Sequence, residues 1–345
     1  MPVASLAQTC SSRGTIYDSD RQGRSIFPGI GGASLRTAVG IDLGGTFIKG
    51  AVVDEEGTIV VKEEIPTHAE RGPDDILRRM EELVRSLIER TGIAPAACAG
   101  VGVGIPGFID TDAGVAVEVV NIGWKNVRVR DPLAQALGLP VHMENDANAA
   151  ALGEAFAGAA KGCESALCIT LGTGIGGGVI LDGQVLRGAS HMAGEIGHIV
   201  MYPDGAACNC GHRGCLETVA SATGVVRLAT ERIERGEKTE LQKANLTAAD
   251  VFAAASRGDS VAQAVVAKAV EDLGRGLAIG ANIVNPVIIV VGGGMARAGE
   301  ALFRPLREAF GRYALGRVAD VVTIVPATLG NDAGVVGASK LALFP

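Results

Sequence analysis

The sequence predicts a mixed α/β fold with two lobes facing each other across a cleft. Three observations carry that prediction. Apolar strands and amphipathic helices alternate along most of the 345 residues, a strand-turn-strand unit recurs once, and glycine concentrates in the turns of that unit.

The first 37 residues, rich in Ser, Gly and Arg, have neither helical nor strand periodicity and read as a flexible extension. Asp18 and Asp20 count against a transit peptide there. From residue 38 the pattern changes: AVGIDL is an apolar strand, GGT a turn, FIKGAVVD a second strand, EEG a tight turn and TIVVKEEIPT a third strand, together an antiparallel meander. The stretch PDDILRRMEELVRSLIERTGI then carries Ile76, Leu77, Met80, Leu83, Val84, Leu87 and Ile88 on one helical stripe, with Pro73 near its start and Gly92 just past its end. CAGVGVGIP reads as a buried strand, and DPLAQALGLP, VHMEN and DANAAALGEAFAGAAKG as helix, strand and helix. VIIVVGGGMA reads as an apolar strand followed by glycines and a helix starting near Met295.

Aligned without gaps at an offset of 128 residues, AVGIDLGGTFIKGAVVD falls on ALCITLGTGIGGGVILD, so Leu43, Gly44, Gly50 and Asp54 match Leu171, Gly172, Gly178 and Asp182. One such recurrence indicates a duplicated domain, not a solenoid. Two halves, each offering a glycine turn, can grip a phosphate chain from both sides, although either turn taken alone is equally a hairpin needing positive φ. The copies differ at a position that matters for chemistry: Asp42 is matched by Thr170. Only the first copy keeps a carboxylate able to hold Mg²⁺, directly or through water.

Composition bounds the chemistry. With 48% hydrophobic residues the chain supplies core for two domains, while its 49 glycines are about twice the usual ~7%. A net charge of -7 and a pI near 5.4 argue against a nucleic-acid surface, so anionic ligands must be held by local amides and a metal ion. No run of eighteen apolar residues and no signal-peptide layout is present, so no membrane association is expected, and the odd count of seven cysteines fits a reducing cytoplasm.

Between residues 198 and 215 the chain reads HIVMYPDGAACNCGHRGC. His198, Cys208, Cys210 and Cys215 supply one imidazole and three thiolates, a complete tetrahedral set for a structural Zn²⁺. The alternative is that these cysteines are small buried hydrophobes. Three of seven cysteines within eight glycine-rich, polar residues make poor core material. His212 is a competing nitrogen ligand, disfavoured because it sits in a tight loop between two cysteines. At ENDAN, Asn145 and Asp146 occupy a strand-to-helix junction from which a side chain can project into a cleft, or where it can cap the helix.

DLGGTFIK, ENDANAAALGE, LGTGIGGG, GEIGH, CNCGHRGCLE and GGGM, in this order, resemble the ROK family of sugar kinases and repressors, within the superfamily that holds actin and Hsp70-type ATPases. The resemblance runs from about residue 38 to the C-terminus. It implies an actin-like ATPase fold, two ribonuclease-H-like α/β lobes with a cleft between them. Residues 38–150 form the N-terminal lobe and 151–345 the C-terminal lobe, with the last helix able to return to the first lobe.

The resemblance also implies roles. Asp42, Gly44, Gly45, Thr46 and Lys49 would serve the first phosphate loop, with the amides of Gly44, Gly45 and Thr46 on the phosphates, Lys49 adding charge and Asp42 organising Mg²⁺. Gly172, Thr173, Gly174 and Gly176 would serve the second, and Gly292 and Gly293 the adenosine. Asp146 would be the catalytic base, and Gly107, Asn121, Asn145, Asp146, Glu195, His198 and Glu217 would bind the sugar. An ordinary Asp pKa of about 3.9 leaves Asp146 ionised at neutral pH, so positioning is expected to matter more than basicity. Trp124, the only tryptophan, is as compatible with core packing as with the pocket and is not assigned to it.

The expected activity is ATP-dependent phosphorylation of a hexose. NIGWKN and GEIGH point to glucose, and fructose, N-acetylmannosamine and allose are the alternatives on nearly the same scaffold. The competing reading is a sugar-sensing repressor, which would carry an N-terminal helix-turn-helix. The leader lacks a helical stripe, while DLGGTFIK and Asp146 are intact, and both facts favour the enzyme. Hexose and ATP are the expected partners, and the resemblance implies a homodimer or homotetramer.

Overall fold

The computed structural model describes residues 36–92 and 97–345, so the extension expected over residues 1–37 lies almost wholly outside the described residues. Two five-stranded sheets organise the chain. The first runs β3-β2-β1-β4-β8, with β1 (Thr37–Leu43), β2 (Phe47–Asp54), β3 (Ile59–Pro66), β4 (Cys98–Ile105) and β8 (Val141–Asn145). The second runs β11-β10-β9-β12-β13, with β9 (Ser165–Leu171), β10 (Ile175–Leu181), β11 (Gln184–Val185), β12 (Ile288–Gly292) and β13 (Thr323–Pro326). In both, the first three strands are an antiparallel meander and the last two are added in parallel. The repeat read at an offset of 128 is therefore a repeat of sheet topology as well as of sequence.

Helix α1 (Pro73–Thr91) begins on a proline that needs no backbone donor and stops at Gly92, whose φ of 65° is the left-handed cap. Its apolar stripe buries Ile76, Met80, Leu83, Val84, Leu87 and Ile88, side chains worth roughly 1.5–3 kcal/mol each when fully buried. The stripe lies over Gly50 of β2, where a Cβ would come within 2.7 Å of Leu87 Cδ1. The matched glycine of the repeat, Gly178, lies under α3 (Asp146–Ala157) in the same way, and a Cβ there would come within 2.6 Å of the Ala151 Cβ. Part of the glycine pattern that suggested ligand loops thus serves close packing of a helix on a sheet.

Helix α2 (Arg130–Leu137) leads into β8. Beyond the glycine-rich second meander come α4 (Glu217–Ala220), α5 (Ala222–Glu234), α6 (Ala248–Ser256) and α7 (Ser260–Val284). After β12 the chain forms α8 (Glu300–Tyr313), α9 (Gly316–Ala319) and, after β13, α10 (Ala333–Leu343). The helix expected to start near Met295 begins instead at Glu300: residues Gly294–Ala298 form a tighter 3-10 turn, and Gly299 at φ 58° breaks the path before α8. The helix expected over residues 146–162 ends at Ala157.

Helices α3 and α10 exchange lobes. The first leaves the first sheet and covers β9 and β10 of the second, while α10 leaves the second sheet and lies on β1 and β4 of the first. The boundary drawn at residues 150/151 falls inside α3. The two helices cross where Gly153 and Gly337 face each other, and a Cβ on Gly337 would sit 1.7 Å from the Ala149 carbonyl oxygen. Backbones approach this closely only without side chains.

A small antiparallel sheet of β5 (Phe108–Asp110), β6 (Val115–Val119) and β7 (Trp124–Arg128) flanks the first lobe and was not read as strands in the sequence. Trp124 is 2% exposed and belongs to the core of that lobe. Among the described residues no helix is long and apolar enough to cross a membrane.

Candidate active site

A cleft of about 610 Å³ opens between the sheets. Asp42, Lys49, Asp146, Thr170, Gly292 and Gly293 all line it. Asp42 and Lys49 are opposed in the β1-β2 register, and Lys49 Nζ lies 3.7 Å from Asp42 Oδ2. Burial raises the Asp42 carboxyl above its ordinary value, against the opposing pull of Lys49.

The glycine turns that join β1 to β2 and β9 to β10 are built tightly. In the first, the Gly44 N–H donates to the Phe47 carbonyl at 2.9 Å, so this amide is spent inside the hairpin and Gly45 and Thr46 form the exposed part. That differs from the expectation of three amides facing a ligand. In the second, the Gly172 N–H donates to the Gly174 carbonyl at 3.0 Å, leaving Thr173 at the exposed tip. The cleft also contains side chains that motif reading missed: Glu154, Thr170, Arg297 and Asn331. Thr170 was noted only as the partner of Asp42 in the repeat, Glu154 ends the motif ENDANAAALGE without having been given a role, and Arg297 and Asn331 lack a local signal.

Asn145 is both a helix cap and a tie to the Gly107 backbone. Its Oδ1 accepts from the N–H groups of Ala147 at 2.8 Å and Asn148 at 3.2 Å, while its Nδ2 donates to the Gly107 carbonyl at 3.0 Å. The cap therefore fixes the start of α3 and presents the next residue, Asp146, to the cleft. Burial, reinforced by the charges of Asp42 and then Glu195, pushes the Asp146 carboxyl up to about 6. The expectation of an unperturbed aspartate is corrected by this environment: the group reaches solvent through the cleft but is surrounded by protein and by other carboxylates.

Asn121 lies on a 3-10 turn (Val120–Ile122) carried by the small sheet, and its Cβ approaches Gly45 of the first turn. On the opposite wall, the chain after β11 closes a loop through the Ala193 N–H to the Arg187 carbonyl at 3.0 Å. It then delivers Glu195 and the 3-10 turn Ile196–His198. His198 Nε2 is 3.9 Å from Glu195 Oε2, and its Nδ1 is 3.7 Å from Glu217 Oε1. Burial raises the Glu195 carboxyl above its ordinary value. Glu217 opens α4, and its Oε2 accepts from the Ile175 N–H at 3.4 Å, which connects this acid to the second glycine turn.

His198, Cys208, Cys210 and Cys215 bring one ligand atom each to within 4.8 Å of one another. Two short bridges, Val200 with Cys215 and Ala207 with Arg213, fold the loop back on itself to make this possible. His198 Nδ1 faces Cys208 Sγ at 3.6 Å, and Cys210 and Cys215 stand 3.6 Å apart. His212 Nδ1 lies 3.5 Å from Cys210 Sγ and is outside the set of four. Three sulfurs and a nitrogen at these separations fit a tetrahedral Zn²⁺. Through Glu217, which faces His198 and Cys208 and bonds the Ile175 N–H, the same loop is tied to the second glycine turn.

Residues 38–344 match the ROK family. A glucokinase of Halalkalibacterium halodurans is 46% identical over 314 residues, spanning 89% of this chain and 95% of the relative. The solved structure of a ROK family glucokinase from Streptomyces griseus in complex with glucose and AMPPNP superposes with a TM-score of 0.75 at 35% identity, covering 90% of this chain and 100% of that one. A xylose repressor of Caldicellulosiruptor bescii is 30% identical over 274 residues and is covered over 69% of its length.

Proposed function

This chain belongs to the ROK family, and we propose from that premise how its cleft phosphorylates a hexose. The protein has the actin-like ATPase fold and is an ATP-dependent hexose kinase that acts on glucose. The observation that supports the residue assignments is that Asp146 shares one cleft with Asp42 and Lys49, which flank the first glycine turn, and with Thr170, which precedes the second, while the charge of Glu195 reaches it.

In this reading Asn121, Asn145, Glu195, His198, Glu217 and the backbone at Gly107 hold the sugar hydroxyls, because carboxylates and amides accept and donate in the fixed directions a sugar requires. Asp146 accepts the proton of the hydroxyl that attacks the γ-phosphate. With a pKa of about 6 it is mostly ionised at neutral pH and is a better base than an ordinary aspartate. The turn amides of Gly45, Thr46, Thr173 and Gly174, together with Lys49, orient the phosphates, while Gly176 sets the path of the second turn. Gly292 and Gly293 leave room for the adenosine. Asp42 is placed to hold Mg²⁺, which when bound neutralises charge on the phosphates. The Cys208, Cys210, Cys215 and His198 set is placed to hold Zn²⁺, which fixes the loop and supplies no step of the transfer.

We assign the protein to the cytoplasm, where ATP and the hexose meet, and to a homo-oligomer of two or four chains. A coupled assay across a hexose panel, with ATP and polyphosphate as donors, tests the activity. Glucose with ATP should give the highest kcat/KM, and faster turnover of fructose, N-acetylmannosamine or allose would displace glucose. Light scattering on the purified protein tests the assembly, and a monomer mass would refute it.

A further inference from the structure

The sugar site draws its two walls from segments far apart in sequence. Asn145 and Asp146 end β8 and start α3, whereas Glu195 and His198 follow the loop after β11. One ion pair joins these segments. Arg187 Nε donates to Glu144 Oε2 at 2.7 Å, and the Glu144 side chain is 1% exposed. The other oxygen, Oε1, accepts from the Asn145 N–H at 3.0 Å and from Asn148 Nδ2 at 3.1 Å.

Glu144 therefore divides its two oxygens between the lobes. One holds the backbone from which Asn145 and Asp146 project. The other holds the base of the loop that the Ala193 N–H closes onto the Arg187 carbonyl, and Gly194 at φ 92° turns that loop directly into Glu195. The same loop touches the first lobe a second time, where His191 Nδ1 lies 3.1 Å from Thr111 Oγ1. A buried carboxylate is costly unless its oxygens are matched by a cation or by hydrogen-bond donors, and the strength of a charge-assisted bond depends steeply on its length, so the pair fixes a separation as well as a contact.

We propose that Glu144 and Arg187 are a positioning pair that sets the spacing between the base-bearing strand end and the sugar-binding loop, and so acts on hexose recognition and not on nucleotide binding. The proposal rests on the reading of this cleft as a hexose-kinase site. Neither residue lines the cleft at the phosphate turns, so loss of the pair leaves the nucleotide wall in place.

The test compares Arg187→Met, Arg187→Lys and Glu144→Gln with the unaltered protein. Glucose and ATP KM values, calorimetric glucose affinity and Tm are measured for each. Arg187→Met and Glu144→Gln should raise the glucose KM and Kd about tenfold or more, with the ATP KM within about twofold, in keeping with loss of a hydrogen bond to a buried charge. Arg187→Lys, which keeps the charge and loses the fixed guanidinium geometry, should recover part of the effect. If Arg187→Met does not fold, Arg187→Lys decides by the same criterion of glucose against ATP. A glucose KM and Kd that do not change while Tm falls, or equal increases in both KM values, would overturn the proposal. Unaltered protein that phosphorylates no hexose in these assays would overturn the kinase reading instead.

Discussion

Asp42, near the end of the first strand, and Asp146, the first residue of α3, line one cleft, and the charge of Asp42 adds to burial in pushing the Asp146 carboxyl up to about 6. The pairing ties the proposed Mg²⁺ ligand to the proposed base. It also makes the ionisation of Asp146 costly to the fold.

The sign of that cost can be worked out. The folded-state pKa is raised, so the folded protein holds the proton more tightly than the unfolded chain. This contribution to stability is full below about pH 4 and is lost as the pH rises through about 6. Asp146→Asn removes the ionisation and should raise stability near pH 7.5 by on the order of 1–3 kcal/mol, with the gain shrinking toward pH 4. Turnover should fall by about a thousandfold or more. Thermal melts at both pH values, read beside a turnover assay, check this; a variant that is less stable at pH 7.5, or that still turns over, contradicts it.

The pH profile of the unaltered enzyme follows from the same group. For kcat/KM against pH, the acid limb should have its midpoint near 6 in the free enzyme, about two units above an ordinary aspartate. A limb near 4 would show that Asp146 is not the base, or that burial does not govern it.

Metal removal should separate sugar binding from phosphate transfer. Elemental analysis should find one zinc per chain, held by His198, Cys208, Cys210 and Cys215. Cys210→Ser should lose it and raise the glucose KM about tenfold, because His198 Nδ1 turns toward the cysteines while Glu217 touches Cys208. Zinc-free protein with normal glucose affinity would refute this.

Glu154 predicts the complementary split. Its buried carboxylate accepts from the N–H groups of Ala159 at 2.8 Å, Leu329 at 2.9 Å and Thr328 at 3.1 Å and so anchors the 327–331 segment of the proposed nucleotide cleft. Glu154→Gln places an amide donor against these donors. It should raise the ATP KM about fivefold to tenfold and lower stability by about 1–3 kcal/mol, with the glucose KM nearly unchanged. Steady-state kinetics with each substrate varied in turn decides it.

Gly337→Ala should be among the most damaging single-methyl additions. The new Cβ would sit 1.7 Å from the Ala149 carbonyl oxygen at the crossing of α3 and α10, where both neighbours are helix backbone and cannot yield. A loss of roughly 3 kcal/mol or more, or insoluble protein, is the expected outcome, and an unchanged Tm would mean the crossing is looser than described.

What the sequence determined by itself was whatever has a short period or a short spacing. The alternation of AVGIDL and FIKGAVVD, the stripe from Ile76 to Ile88, the cap at Gly92 and the spacing of Cys208, Cys210 and Cys215 are local, and each emerged close to the residues expected. The repeat at an offset of 128 was legible because both copies kept their glycines, and it anticipated the topology shared by the two sheets. The return of the last helix to the first lobe was expected from the resemblance, whereas the tertiary structure alone decided the reciprocal crossing of α3, the strands of the small sheet around Trp124, the anchoring of Glu154 and the bridge from Glu144 to Arg187. Apart from the small sheet, whose short strands pair locally without a clear apolar alternation, these are contacts between residues tens to hundreds of positions apart, for which neither period nor motif exists. The raised pKa of Asp146 belongs with them, since desolvation and the charge of Asp42 act through space, and no property of ENDAN taken as a string contains either one.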